Sequence, residues 1–221
     1  MMEMMMLLDI SNVRSTLDDL RKEFQGFDVS GLYNSFLARC DLVDEWKFSD
    51  GDYFEHLPHE TERMGFSSPR LMKKKYASVE EARVLGKYCS GFYGGRHIIT
   101  IFPGQRGIQA IQAALYDHGD GFSEIRTVGF KGVDRPDRRE SRLISLGRLT
   151  QLDDGDIVHV GAGVGDALSV FLYKYSSIGK VLSGRAIAKG WPGEDEWFYR
   201  YDSEGQLTEI TSSTTSLWAR K

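Results

Sequence analysis

Cysteine and proline are scarce in this 221-residue sequence, and long apolar runs are absent. The two cysteines, Cys40 and Cys89, can form one disulfide bond at most, which excludes a framework of several bridges. Because no run of about 18 apolar residues is present, the sequence predicts no transmembrane span. The start, MMEMMMLLDI, is apolar but carries Glu3 and Asp9 and no basic residue, unlike a secretory signal. We therefore expect a cytoplasmic protein, or one that is delivered into a target cell.

Concentrated positive charge is also missing. The longest basic run is residues 73–75, and the formal net charge is -4. Proteins that bind nucleic acid replace the counterions of many phosphates with basic side chains, so nucleic acid is not an expected partner. With 27% charged and 41% hydrophobic residues, the chain is typical of a globular protein that buries its core without crosslinks.

The first ninety residues are predicted to be mainly helical. Apolar side chains recur at steps of three and four from residue 13 to residue 24, which predicts a helix that ends at Gly26. A second helix is predicted to begin near residue 30. Ser78 and Glu81 have the spacing of a capping box and predict a third helix start. Between the second and third helices, residues 46–69 are interpreted as loop with one short strand.

The rest of the chain is predicted to be rich in β-strands. A soft boundary near Gly91 separates a helical portion, residues 1–90, from a β-rich portion, residues 91–221, within one unit. Helical spacing from Ile108 to Leu115, between two strand-like segments, predicts one βαβ unit. Further strands are predicted at residues 143–149, 157–160, 170–175, 181–188, 197–201 and 207–211. The expected fold class is α+β, with N-terminal helices packed on a mostly antiparallel, twisted sheet that ends in a β-meander.

Two segments near the C-terminus echo each other. Residues 173–181 and residues 199–207 both read as an aromatic strand, a four-residue turn that ends in glycine, and an aliphatic strand. Because glycine supplies the positive φ that such a turn needs, both segments are predicted to be hairpins. The second copy also resembles the YD-type hairpin repeat of bacterial Rhs proteins, and we attribute this to shared hairpin physics.

Several weaker motifs each have a functional and a structural interpretation. Residues 161–165, GAGVG, follow a strand and resemble the first motif of methyltransferases that bind S-adenosylmethionine, but too few residues follow for such a sheet. A glycine-rich loop is the favoured interpretation. Residues 104–107, GQRG, precede the predicted helix and could hold a phosphate, or could simply connect two elements. Residues 56–60, HLPHE, contain two histidines without the three or four ligands that a zinc site needs, so no metal is predicted.

The acidic turn before the last aromatic strand contains the strongest candidate for chemistry. Glu194 and Glu196 lie two residues apart where the turn enters a strand. Paired carboxylates of this kind can stabilise an oxocarbenium-like cation and orient a nucleophile. A solvated acidic turn is the alternative.

Residues 193–199, GEDEWFY, resemble the Glu-x-Glu loop and following strand of bacterial mono-ADP-ribosyltransferases. An arginine on an earlier strand, Arg126, and a leucine-spaced segment at residues 146–158 follow the same order, while the family's Ser-Thr-Ser strand is missing. The resemblance implies an effector or toxin that transfers ADP-ribose from NAD to a protein target. It implies Glu196 as the catalytic carboxylate, Glu194 as the catalytic residue that orients the acceptor, and Arg126 as the ligand of the NAD phosphates.

The second hypothesis is a non-enzymatic, acidic binding protein, such as a bacterial toxin-immunity protein. The net negative charge, the aromatic-rich meander and the lack of a complete catalytic set favour it. Aromatic residues are enriched at interface cores, and an acidic face suits a basic partner. Both hypotheses involve a protein target or partner, and neither requires a metal.

Overall fold

The computed structural model describes residues 6–104, 110–134, 139–152, 155–213 and 215–220. Within these residues, twelve strands form one antiparallel sheet in which each strand pairs with its neighbours in sequence. The strands are β1 (Glu45–Ser49), β2 (Tyr88–Tyr93), β3 (Arg96–Ile101), β4 (Ala110–His118), β5 (Phe122–Lys131), β6 (Glu140–Gln151), β7 (Ile157–Gly163), β8 (Ala167–Tyr175), β9 (Val181–Ala188), β10 (Asp195–Tyr201), β11 (Leu207–Ser212) and β12 (Ser216–Ala219). The predicted α+β class and its β-meander are confirmed.

The helices lie early in the chain. They are α1 (Ser11–Gly26), α2 (Leu32–Leu42), α3 (Glu60–Arg63) and α4 (Val79–Val84), with short 3-10 helices at Leu7–Asp9 and Val164–Asp166. The predicted cap of the third helical segment is present, because the Glu81 N–H donates to the Ser78 hydroxyl at 3.0 Å. Among the described helices, none has the length and apolar character needed to cross a membrane.

Helices α1 and α2 cover one face of the sheet, named here the helix face. The predicted apolar stripe of α1 is buried, with Val13, Leu17 and Leu20 no more than 5% exposed. These side chains join the largest core cluster together with alternate residues of the strands, for example Val170 and Leu172 of β8. Burial of each large aliphatic side chain contributes about 1.5–3 kcal/mol, so this cluster holds the helices on the sheet.

The sheet is strongly curled, and its concave face wraps around residues 50–70, named here the covering segment. The ring centroids of Phe54 and of Phe92 in β2 are 4.9 Å apart, and those of His59 and of Tyr199 in β10 are 5.5 Å apart. Five residue steps reach at most about 18 Å, but β2 and β10 would lie about 38 Å apart in a flat sheet. The sheet must therefore bend so that strands distant in order face the same short segment.

The two echoed segments form matching hairpins, as predicted. In the turn after β8, the Gly179 N–H donates to the Ser176 carbonyl at 2.9 Å. In the turn after β10, the Gly205 N–H donates to the Asp202 carbonyl at 3.0 Å. Both glycines have positive φ, 77° and 82°, which is why glycine is needed at these two positions.

The predicted helix from Ile108 to Leu115 is wrong over its described part, which is strand β4, and the predicted βαβ unit is therefore wrong too. Four consecutive residues of β4, from Ala113 to Tyr116, are buried. Ala113 and Leu115 belong to the core cluster that includes the helices, and Ala114 and Tyr116 belong to a separate buried cluster on the opposite side. Burial on both sides removes the alternation that identifies a strand, so the apolar spacing matched a helix instead.

Strand β2 also escaped prediction, because its glycine was interpreted as a break in the chain. Gly91 lies inside β2, and a side chain there would approach Ile99 and Val43 within 2.7 Å. A tight contact rather than a turn therefore explains this glycine. The sheet continues across the proposed boundary near residue 91, since β2 pairs with β1 on one side and β3 on the other.

Candidate functional site

A cavity of about 580 Å³ lies beside the covering segment and reaches Tyr88 of β2. We name it the acidic cavity, because carboxylates of the covering segment form much of its wall. Its apolar wall includes Met64 and Phe66, which are 56% and 61% exposed. A concave site with an apolar wall and a few convergent polar groups is the usual form of a ligand site.

Asp52 and Glu55 are the two carboxylates of this cavity that make no ion pair with the described residues. Glu55 accepts hydrogen bonds from the Thr61 N–H at 3.2 Å and from the Thr61 hydroxyl at 2.8 Å. One oxygen of Asp52 is buried and has no hydrogen-bond partner among the described residues. An unpaired carboxylate that is partly withdrawn from water lowers the stability of a protein. These two acids therefore destabilise the fold that contains them.

The electrostatic state of the pair follows from its burial. Burial raises the pKa of Asp52 from 3.8 to about 6. Burial also raises the pKa of Glu55 from 4.5 to about 7; hydrogen bonds from Thr61 oppose this change, and the charges of Glu62 and Asp52 add to it. Both carboxyls therefore change protonation close to neutral pH, as functional carboxyls often do.

The other two acids in the wall of the cavity are neutralised and hold the covering segment together. Asp50 lies 3.5 Å from the Arg70 guanidinium, and backbone hydrogen bonds between the same two residues close the ends of the segment. Glu60 accepts a hydrogen bond from Arg63 at 2.8 Å, and that guanidinium lies 4.7 Å from the Trp197 ring. The uncompensated negative charge of the cavity thus comes from Asp52 and Glu55.

A second cavity, of about 260 Å³, adjoins the first, and we name it the histidine cavity. His56 and Leu57 line both cavities, so these two residues of the covering segment lie between the acidic cavity and the histidine cavity. The wall opposite is formed by β5 to β8, including Ile125, His159 and Phe171. The rings of His56 and His159 have centroids 5.1 Å apart.

His159 is the most deeply placed polar side chain of this cavity. It is 7% exposed, and its Nδ1 is buried without a protein hydrogen-bond partner. Burial lowers its pKa well below the ordinary value, so the imidazole is neutral at physiological pH. A methyl group on Gly147 would approach Nε2 of this ring to 2.5 Å, which shows why that strand position holds glycine.

Arg126, the predicted phosphate ligand, lies on the helix face of β5. Its guanidinium donates to Asp117, which also accepts from Arg39 of α2 at 2.6 Å. Burial by itself raises the pKa of Asp117, but these two hydrogen bonds outweigh it and leave that pKa below its ordinary value. A phosphate would have to compete with this carboxylate for Arg126.

Glu194 and Glu196, the predicted catalytic pair, also belong to the helix face. The Glu194 carboxylate accepts hydrogen bonds from the Leu7 N–H and from the Arg185 guanidinium, and its side chain is 10% exposed. It therefore fastens the N-terminal 3-10 helix to the sheet. Glu196 pairs in register with Arg185 and is half-buried. Four strands separate it from the strand of Arg126, and neither residue lines the acidic or the histidine cavity.

The glycine-rich motif of residues 161–165 and the two cysteines have structural explanations. Gly161 and Gly163 lie within β7 rather than in a loop, and a side chain at Gly161 would meet Ser169 at 2.7 Å. Residues 105–107 of the GQRG motif lie outside the described residues. Cys40 and Cys89 are free thiols, and burial raises the pKa of Cys89 to about 12, which makes it a poor nucleophile.

Residues 56–60 of the covering segment stand out in the sequence as a possible metal site and not as part of a cavity. The described residues contain no group of three or more His, Cys, Asp or Glu side chains arranged to hold a metal. His56 instead separates two cavities. Asp52 and Glu55 were missed, because two acids in a loop carry no signal of burial. The only hint was that these two acids flank the aromatic residues Tyr53 and Phe54 shortly before Pro58.

Comparison of the chain with protein families, with curated proteins and with solved structures gave no match.

Proposed function

We propose that the chain is a binding protein whose acidic cavity takes the cationic end of a ligand with an apolar stem. The observation that carries this proposal is that Asp52 and Glu55 line this cavity and a neighbouring one of about 700 Å³, and that neither makes an ion pair with a described residue, although Lys180 and Arg220 lie in the wall of the neighbouring cavity. The proposal develops the acidic binding protein of the sequence analysis. The transferase hypothesis remains a prediction, and the contacts of Arg126 and Glu194 give it no support.

A cation supplies what this pair lacks. An ammonium or guanidinium group donates several hydrogen bonds to the accessible carboxylate oxygens and brings a positive charge. Hydrogen bonds to charged groups contribute about 1.5–3 kcal/mol. The apolar side chains at the wall of the cavity, such as Leu57, Met64 and Phe66, suit an alkyl stem. A lysine side chain and a free alkylamine share this chemistry.

Binding is coupled to the protonation of the pair. A cation binds the ionised carboxylates, and burial holds the pKa of Asp52 at about 6 and that of Glu55 at about 7. The affinity should therefore rise with pH from about 5 to about 7 and level off above. Binding should release protons in the same range, because the bound cation lowers both pKa values.

Calorimetric titration with hexylamine, with a lysine-containing peptide and with its glutamine counterpart tests the proposal. The first two probes distinguish a free amine from a protein side chain. Asp52→Asn combined with Glu55→Gln should lower the affinity by about tenfold or more at pH 8. Asp120→Asn, at an exposed position in the turn between β4 and β5, is the matched control and should leave the affinity unchanged.

Binding of both probes that is equally strong in the double variant would contradict the proposal. So would an affinity for either cation that stays constant between pH 5 and pH 8, because the carboxylates could then not be the ligands.

A further inference from the structure

The histidine cavity contains a buried histidine that the proposed cation site does not use. His159 occupies the centre of β7, and a methyl group on Gly147, which also lines the cavity, would approach its Nε2 to 2.5 Å. Its Nδ1 has almost no accessible surface and no hydrogen-bond partner among the described residues, so a ligand in the cavity would meet the Nε2 edge of the ring. The surrounding strands make room for this ring instead of filling the space, because glycine stands at Gly147 and Gly161.

The position of this cavity ties it to the proposed cation site. Both cavities are lined by His56 and Leu57, so a ligand that reaches from Asp52 and Glu55 into the histidine cavity has to pass or displace these two side chains. The inner walls are mainly apolar, with Ile125 and Phe171 opposite the covering segment. Among the described residues that line this cavity, the histidines are the only ones with an acidic or basic side chain, so it suits an uncharged group.

We propose that the histidine cavity is a second subsite for the same ligand and takes a neutral ring with a hydrogen-bonding atom that meets His159. The ligand is then a small arylalkylamine, with its ammonium group at Asp52 and Glu55. This inference rests on the proposed function, because the outer site supplies the charge recognition. It goes further by assigning the chemical class of the ligand.

The size and chemistry of the cavity agree with a ring. A cavity of about 150 Å³ holds benzene, and the histidine cavity has about 260 Å³. The His56 and Phe171 rings can contact an aromatic face or edge, which adds about 0.5–1.5 kcal/mol beyond burial. A neutral imidazole has one donor and one acceptor nitrogen, so it can pair with a phenolic hydroxyl in either direction.

A ligand series separates the two subsites. The members are 4-hydroxyphenylalkylamines with linkers of one to four methylenes, the same amines without the hydroxyl, hexylamine, and 4-ethylphenol. We expect at least one hydroxyphenylalkylamine to bind about tenfold tighter than hexylamine. His159→Phe keeps a ring but removes both nitrogens, so it should abolish the advantage of the hydroxyl, about fivefold, and leave hexylamine binding unchanged.

A second measurement needs no variant. The side-chain ¹⁵N resonances of His159 in the wild-type protein should shift when the hydroxyphenyl ligand binds and remain unchanged with hexylamine. His118→Gln, at an exposed histidine of β4, is the control and should leave all affinities unchanged.

Each result decides between the claims. If hexylamine and the arylalkylamines bind equally well and the His159 resonances do not move, the inner subsite is refuted while the outer site stands. If neither an amine nor 4-ethylphenol binds, both proposals fail. If 4-ethylphenol binds as tightly as the arylalkylamines, the inner subsite stands and the outer one is refuted.

Discussion

Neutralising the carboxylate pair should stabilise the protein, and should do so only where the pair is charged. In Asp52→Asn combined with Glu55→Gln, both costly charges are removed from the acidic cavity. The pKa of each acid is raised in the folded protein, so the native state binds more protons than the unfolded chain between about pH 4 and pH 7. The contribution of these two groups to the stability of the wild-type protein is therefore fully present below pH 4 and is lost as the pH rises through 6 and 7.

The magnitude follows from the two pKa values. A rise from 3.8 to about 6 for Asp52, or from 4.5 to about 7 for Glu55, corresponds to about 3 kcal/mol for each group at 1.36 kcal/mol per pKa unit. Because both side chains are only half-buried and solvent reduces the penalty, we expect about 1–3 kcal/mol for the double variant at pH 8. At pH 4 the difference from the wild type should nearly vanish.

Denaturant unfolding at pH 4, 6 and 8, followed by tryptophan fluorescence, measures this difference. The single variants should be informative as well, since removing the Asp52 charge lowers the pKa of Glu55. Asp120→Asn should show no pH-dependent gain. The other titratable groups that line the same cavities or interact with the pair stay unchanged in all variants; they are Asp50, Tyr53, His56, His59, Glu60, Glu62, Arg70, Tyr88, Tyr116, Tyr173, Lys180, Tyr201 and Arg220. A gain of equal size at pH 4 and pH 8, or a loss at pH 8, would refute the reasoning.

Three further predictions concern residues in or next to the strands of the sheet. Glu194→Gln removes the charge of a carboxylate that binds both Arg185 and the Leu7 N–H, and it should cost about 2 kcal/mol or more in urea unfolding, whereas Glu196→Gln should change stability by less than about 0.5 kcal/mol; equal effects would contradict the assigned roles. Incubation with NAD should release no nicotinamide above background, and release that Glu196→Gln abolishes would support the transferase instead. Gly184→Ala would place a methyl group 2.4 Å from the Trp197 ring and should cost about 1–3 kcal/mol, measured by thermal unfolding.

Local patterns were enough for the elements whose signals are local. The stripe of α1 needs only its own periodicity, and Ser78 caps α4 through the N–H three residues later. The hairpins at Gly179 and Gly205 follow from turn chemistry that spans a few residues. Where a strand is covered on both sides, as in β4, the period disappears from the sequence, and the helix prediction failed for that reason.

The candidate site depended on contacts that no local pattern contains. Glu194 looked like a free acid in the sequence, but its N–H partner, Leu7, is 187 residues away. Asp52 and Glu55 looked like ordinary loop acids, but the covering segment carries them under a sheet whose later strands lie more than a hundred residues further along the chain.

The sequence by itself therefore determined the α+β class, the amphipathic first helix, the hairpin turns and the net negative charge, because composition and short-range periodicity carry each of them. Only the tertiary structure decided which acids are exposed, paired or buried. That outcome depends on how twelve twisted strands curl around residues 50–70, and curl accumulates from small angles between neighbouring strands rather than from any one motif.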